Sequence, residues 1–127
     1  MSLPQTFASR GPRIDAMQYD NWSEKIFQQM REGGVDAVHV TIAYHETFRE
    51  MVANIEAWNR RFQRYSHLIL HGKWASDIAL ARQTGRTAIF FGFQNPSPIE
   101  DDIGLVEVVH SLCLLYTSDA ADEEDSV

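Results

Sequence analysis

The stretch Val35-Asp36-Ala37-Val38-His39-Val40-Thr41-Ile42 decides the fold class of this chain. It is almost continuously apolar and β-branched, as expected of a parallel strand that is covered on both faces. Gly33-Gly34 stands directly before it and ends a helical pattern, because glycine tolerates the left-handed conformation at a helix C-terminus. That pattern begins after Ser23, a good N-cap, and carries its apolar residues at helical spacing. The chain therefore passes from helix to buried strand within a few residues.

The segment after this strand changes to a helical period. Apolar residues recur at three- and four-residue steps from Glu46 to Tyr65, which predicts an amphipathic helix. They are Phe48, Met51, Val52, Ile55, Trp58, Phe62 and Tyr65. Trp58 and the earlier Trp22 are expected to pack in the core between sheet and helices. Arg60, Arg61 and Arg64 are interpreted as a solvated face.

The alternation of strand and helix then repeats. A first strand is predicted near Arg13–Tyr19, a short one at Leu68–Leu70 and a strong one at Thr87–Phe93. Ser76-Asp77 is predicted to cap a helix that stops near Gly85, and Asp101-Asp102 precedes a helix carrying Ile103 to Leu112. The chain is thus α/β, with about four strand-helix units and parallel strands.

Two architectures fit that order of elements. One is a complete small doubly wound sheet, and the other is part of a TIM-like (β/α) barrel. Length favours the small sheet, since a full barrel needs about 250 residues. No glycine-rich phosphate loop follows the first strand, so a dinucleotide site has no support.

Composition narrows the possible partners. The 127 residues include 18 acidic and 11 basic side chains, a formal charge of −7, and 44% are hydrophobic. A globular core is expected, and the charge makes neither nucleic acid nor membrane an expected partner. Cys113 is the only cysteine, which excludes an intrachain disulfide. Met1 to Arg13 lacks a signal-peptide pattern, so a cytoplasmic location is expected.

The sequence divides into an N-terminal extension (1–12), one domain (13–112) and a tail (113–127). The tail has no amphipathic period and ends in an acidic cluster. It is either a solvated acidic tail or a non-native end, since Leu114 to Glu123 resembles translated sequencing-adapter sequence. On the second interpretation the natural protein continues beyond Leu112, and part of a barrel becomes a better prediction than a complete small sheet.

From about Arg13 to Leu112 the sequence resembles a bacterial branch of the membrane (renal) dipeptidase family of zinc metallopeptidases. The stretches 14–22, 33–41 and 87–95 carry the resemblance. It implies that the domain is the N-terminal part of a TIM-like barrel. It also implies two bridged zinc ions, and hydrolysis of dipeptides or similar small amides, with a small peptide-like substrate as partner.

The positions that match the family's metal ligands carry other residues here. The family has Asp-Gly-His-x-Asp at its first strand, and neither possible register of residues 17–20 gives His-x-Asp. The family has Glu-Gly at the later strand, where this chain has Gln94-Asn95. A ligand that bridges two dications should be anionic, and the amide of Gln94 supplies no charge. The resemblance therefore implies bound zinc, but most of the residues at the matching positions of this chain are poor zinc ligands.

Four residues are the candidates for a site at the carboxyl ends of the strands, where a barrel pocket opens. Asp20 and Gln94 hold the family's metal positions with altered residues, and His45 and Asn95 are the candidate substrate contacts. The alternative role of His45-Glu46 is to cap the following helix and complement its dipole. No catalytic residue is assigned.

His39 has two possible roles on its strand. It could line the barrel interior together with Thr41, or it could be a core histidine with a satisfied hydrogen bond, which is the more common arrangement.

Two functions stay open. The protein is either an enzyme in which a metal-bound water attacks a peptide-like amide, or a metal-free barrel that binds a small ligand or serves as a structural component. The uncovered strand edges of a partial barrel predict poor solubility or a homo-oligomer.

Overall fold

The computed structural model of the chain describes residues 11–18, 21–94, 97–112 and 115–116. The strands are β1 (Ile14–Gln18), β2 (Ala37–Ala43), β3 (Ile69–His71), β4 (Thr87–Phe93) and β5 (Leu115–Tyr116). The helices are α1 (Glu24–Glu32), α2 (Phe48–Arg64), α3 (Ser76–Thr84) and α4 (Leu105–Ser111), and a 3-10 turn covers Ser97–Ile99. In the described residues no helix has the length and hydrophobicity needed to cross a bilayer.

All strand pairs of the sheet are parallel, and the order is β1-β2-β4-β3. β5 pairs with the carboxyl half of β4, whereas β3 pairs with its amino half. The predicted α/β class is therefore confirmed, with strands and helices alternating as in a partial (β/α) barrel.

The strand order differs from the simple succession of four units that the sequence pattern indicates. β2 and β4 are neighbours, and β3 lies on the outer side of β4. The step from β2 to β3 and the step back from β3 to β4 run in opposite directions across the sheet. Because parallel crossovers are right-handed, the two connecting helices must lie on opposite faces. α3 accordingly covers the face opposite to α2.

The core is divided between those two faces. Val38, Val40 and Ile42 of β2 point towards α1, α2 and α4, in one cluster with Ile89, Phe91 and Phe93 of β4. Trp58 is buried in this cluster and Trp22 packs against it, as predicted. On the other face Ala37, Leu70 and Ala88 pack against Ala81 of α3. This second cluster lies at the amino ends of β2 and β4, so α3 covers only that end of its face.

The ends of α1 follow the sequence signals, whereas the start of α3 does not. Ser23 caps α1, and Gly34 after that helix takes a positive φ of 72°. The prediction that Ser76-Asp77 caps α3 is wrong in detail, because Ala75 is the N-cap and makes no side-chain cap bond. Asp77 instead accepts the backbone N–H groups of Lys73 and Trp74 at 2.7 and 2.9 Å, which closes the turn before the helix.

Candidate functional site

The carboxyl ends of β2 and β4 meet at one edge of the sheet, and a cavity opens there. It is lined by Tyr44, His45, Glu46 and Gln94 and has a volume of about 370 Å³. Gln94 is held at this edge because its backbone N–H donates to the carbonyl of Ala43 at 3.1 Å. Two of the four predicted site residues, His45 and Gln94, thus line one cavity. Asp20 and Asn95 lie outside the described residues, and their predicted roles stay predictions.

Gln94 is oriented by the neighbouring strand. Its Nε2 donates a hydrogen bond to Oγ1 of Thr41 at 3.0 Å. This bond fixes the direction of the amide, so that the oxygen Oε1 is the atom through which Gln94 can accept a further hydrogen bond. Thr41 itself is buried on β2.

Glu46 organises the loop between β2 and α2. Its Oε2 accepts the backbone N–H groups of Tyr44 at 2.5 Å and His45 at 3.1 Å, and its carbonyl accepts the Ser97 hydroxyl at 2.8 Å. The rings of Tyr44 and His45 meet edge to face, with centroids 4.2 Å apart. The suggestion that His45-Glu46 caps α2 is wrong, because the N-cap is Thr47, in a capping box with Glu50. Glu46 therefore stabilises the turn that forms the cavity wall.

His39 lies below Thr41 on the same face of β2. Its Nε2 is buried and has no hydrogen-bond partner in the described part of the chain. A Cβ placed on Gly92 would lie 1.7 Å from that nitrogen, so the imidazole occupies the space over a glycine of β4. Burial lowers the pKa of His39 below its usual value. The expectation of a satisfied core histidine is therefore wrong for Nε2, and the imidazole lies on the face that leads up to Gln94.

The described residues do not fit a zinc site. No group of three or more histidine, cysteine, aspartate or glutamate side chains comes together in residues 11–18, 21–94, 97–112 and 115–116 in a way that could hold a metal ion. Gln94 is neutral, and its amide nitrogen donates a hydrogen bond to Thr41. One carboxylate oxygen of Glu46 already accepts two backbone N–H groups. A zinc centre needs about four ligands with enough anionic or imidazole donors. The zinc that the family resemblance implies has no such set here.

Two residues that line the cavity, Tyr44 and Glu46, were not among the four predicted site residues, although Glu46 was considered together with His45. Thr41, which orients Gln94, was not among them either. The sequence did contain a signal for Thr41, since it shares a strand face with His39 at the two-residue period. Tyr44 and Glu46 lie in a loop whose conformation depends on hydrogen bonds that no periodic pattern reveals.

Comparison with known proteins agrees with the fold. The chain is similar to the crystal structure of an amidohydrolase from Pseudomonas aeruginosa, with a TM-score of 0.79 and 33% sequence identity over 87% of this chain. It spans only 34% of the length of that protein. No protein-family model and no curated protein sequence matches the chain. The likeness supports a hydrolase-type α/β barrel fold.

Proposed function

We propose that this chain is the amino-terminal part of a hydrolase related to the membrane dipeptidases, with altered metal ligands, and that its strand-end cavity binds a small peptide-like amide. The observation that carries the proposal is the cavity that joins His45 after β2 to Gln94 after β4, in a chain that is 33% identical to an amidohydrolase. Enzymes with parallel α/β barrels bind substrates at this edge.

The polar atoms of the cavity match the groups of a dipeptide. Oε1 of Gln94 can accept the N–H of an amide, because Nε2 is already bonded to Thr41. The second carboxylate oxygen of Glu46 can accept an ammonium group, since the first already accepts two backbone N–H groups. These residues bind and orient the ligand in the proposal, and no bond-breaking step is assigned to them.

Binding is tested by calorimetric titration of the chain with L-alanyl-L-alanine in buffer containing a metal chelator. Gln94→Ala removes one neutral hydrogen bond and is expected to weaken binding about fivefold. Gln83→Ala changes an exposed glutamine on α3 and serves as the matched control. Absence of saturable binding, or equal binding by Gln94→Ala, would contradict the proposal.

One observation favours a second candidate, a metal-free barrel that binds the ligand without cleaving it. Gln94 stands where the family has a glutamate, and its amide is hydrogen-bonded to Thr41. The two candidate functions are separated by incubating the chain with the dipeptide, with and without added zinc, and measuring the free alanine that hydrolysis would release. Binding without release supports the second candidate. Gln94→Glu adds the missing charge, and a rise in zinc affinity for this variant would show that the position still faces a metal-binding pocket.

A further inference from the structure

A second cavity lies beside the carboxyl end of β2, on the side covered by α2. It has a volume of about 180 Å³ and reaches from Trp22, after β1, to one side of α2. We call it the tryptophan cavity. Its lining is Trp22, Thr41, Ile42, Glu46, Asn54, Ala57, Trp58 and Arg61. Asn54, Trp58 and Arg61 follow one another at helical spacing, so a single helix face presents them to the cavity.

Arg61 is the cation of this cavity. Its guanidinium carbon lies 4.7 Å from the centre of the Trp58 ring, in a cation–π arrangement. Among the described residues it has no ion pair and no hydrogen bond, although it is half-buried and burial lowers its pKa. The interpretation of Arg61 as part of a solvated face is therefore wrong.

Arg60, the residue before Arg61, differs from it in both exposure and pairing. Arg60 is 72% exposed and pairs with Glu56 at 3.0 Å, as an ordinary surface arginine does. The cation–π contact with Trp58 offsets part of the hydration that the half-buried guanidinium of Arg61 loses, but it supplies no counter-ion, so an anion that pairs with Arg61 would be favourable.

The other walls of the tryptophan cavity include aromatic rings, the amide of Asn54 and the carboxylate of Glu46. The rings of Trp22 and Trp58 have centroids 5.3 Å apart, and Trp22 stacks on Phe27 at 6.0 Å. Asn54 is fixed by a bond from Nδ2 to the carbonyl of Ile42 at 2.7 Å. These contacts hold the apolar walls and the polar end in place before any ligand binds.

We propose that the tryptophan cavity is a binding site for a small monocarboxylate with a short apolar tail, such as butyrate. The carboxylate pairs with the guanidinium of Arg61, whose planar fork matches two carboxylate oxygens. The tail lies against the partly exposed ring of Trp22. A cavity of roughly 150 Å³ holds one benzene molecule, which sets the size limit of the ligand. This site is separate from the proposed amide site, although Glu46 lines both cavities.

The test uses tryptophan fluorescence in a Trp74→Phe background, because Trp74 is 64% exposed and would add a signal unrelated to the cavity. Titration with sodium butyrate should give a saturable change that equal concentrations of sodium chloride do not give. Arg61→Met should weaken butyrate binding about tenfold or more, as expected for loss of a charged hydrogen-bond partner. Arg60→Met is the matched control and should bind as the parent does.

Three outcomes would overturn the proposal. They are a change identical to that with sodium chloride, equal butyrate affinity in Arg61→Met, and tighter binding of inorganic phosphate or butylamine than of butyrate. Thermal unfolding of Arg61→Met, compared with Arg60→Met, identifies a variant that fails to fold. In that case Arg61→Lys is used, because it keeps the positive charge but lacks the planar guanidinium group. Weaker butyrate binding by this variant supports the proposal, and unchanged binding contradicts it.

Discussion

At the level of single residues, Gly92 and His39 show how closely β2 and β4 pack, since a Cβ placed on Gly92 would collide with the imidazole. Gly92 pairs with Thr41 across the β2–β4 ladder, and the His39 imidazole lies over its Cα. The space above this glycine is the space that the histidine ring fills. A side chain at position 92 and an imidazole at position 39 therefore exclude each other.

Gly92→Ala is expected to destabilise the chain by roughly 1–3 kcal/mol, the usual cost of overpacking a core. Urea unfolding measures the change. Gly33→Ala is the matched control, since a Cβ there would meet its nearest atom at an ordinary 3.4 Å. The double variant Gly92→Ala with His39→Ala should recover part of the loss. A Gly92→Ala protein as stable as the parent would contradict the contact.

His39 also makes stability depend on pH. Its folded pKa lies below the usual 6.5 because of burial. The unfolded chain then binds more protons just below pH 6.5, so stability falls as the pH is lowered through that window and is fully present above it. His39→Val should show a smaller loss of unfolding free energy on acidification than the parent. His67→Gln, on an exposed turn, is the comparison variant. Identical pH profiles for parent and His39→Val would refute the assignment.

Sequence reasoning identified the position of Gln94 but not the state of Arg61. The strand pattern that ends at Phe93 places the next residue at the carboxyl edge, so Gln94 could be predicted. Arg61 comes three residues after Trp58, and that spacing already places both on one helix face. The charge of Arg61 led to the solvated interpretation, because a sequence does not show that Trp22, from a distant part of the chain, lines a cavity together with this helix face.

At the level of elements, the N-terminus of α2 supports the loop that forms the candidate site. The Oγ1 of Thr47 accepts the N–H of Glu50 at 3.3 Å, and Oε1 of Glu50 accepts the N–H of Thr47 at 3.0 Å. Glu100, after the 3-10 turn, accepts the N–H of Phe48 at 3.1 Å. The start of α2 is thus tied both to itself and to the segment after β4.

Thr47→Ala removes the side-chain half of this capping box. The expected cost is about 1 kcal/mol in the free energy of unfolding, within a typical range of about 0.5–2 kcal/mol. Chemical denaturation monitored by circular dichroism gives the value. Thr47→Ser keeps the hydroxyl and should stay close to the parent. A loss of equal size in both variants would mean that the methyl group, not the cap, is what matters.

The elements themselves could largely be predicted, and their arrangement could not. β-branched runs and three- and four-residue spacings placed β2, α2 and β4 within a few residues of their observed bounds. β2 lies beside β4 because residues such as Val40 and Phe91 are partners in the ladder, and these residues lie far apart in the sequence. No local pattern distinguishes that order from β2 beside β3.

At the level of the whole molecule, the described surface keeps uncovered apolar groups. Ile14 on β1, Trp74 before α3 and Ile103 before α4 are 57%, 64% and 82% exposed. β1 has β2 on one side and ends the sheet on the other, in the part of the chain that the structure describes. An open parallel edge with apolar side chains invites pairing with another copy.

The chain is accordingly expected to self-associate at micromolar concentration. Light scattering coupled to size-exclusion chromatography measures the mass in solution. Ile14→Lys places a charge on the β1 edge and should shift the population towards monomer, whereas Ala79→Lys, on an exposed part of α3, should not. A monodisperse monomer in the parent chain would remove the basis for this expectation.

The adjacency of β2 and β4 also bears on how fast the protein folds. Ala37 pairs with Ala88, so the two central strands can form their ladder only after the whole intervening stretch, with α2, β3 and α3, has been brought back. The entropy of closing that loop is lost before any of the ladder bonds forms. Helices such as α2 consist of local contacts and need no such closure. The central ladder is therefore expected to form late, and the folding rate to depend more on this single return of the chain than on the strength of any one helix.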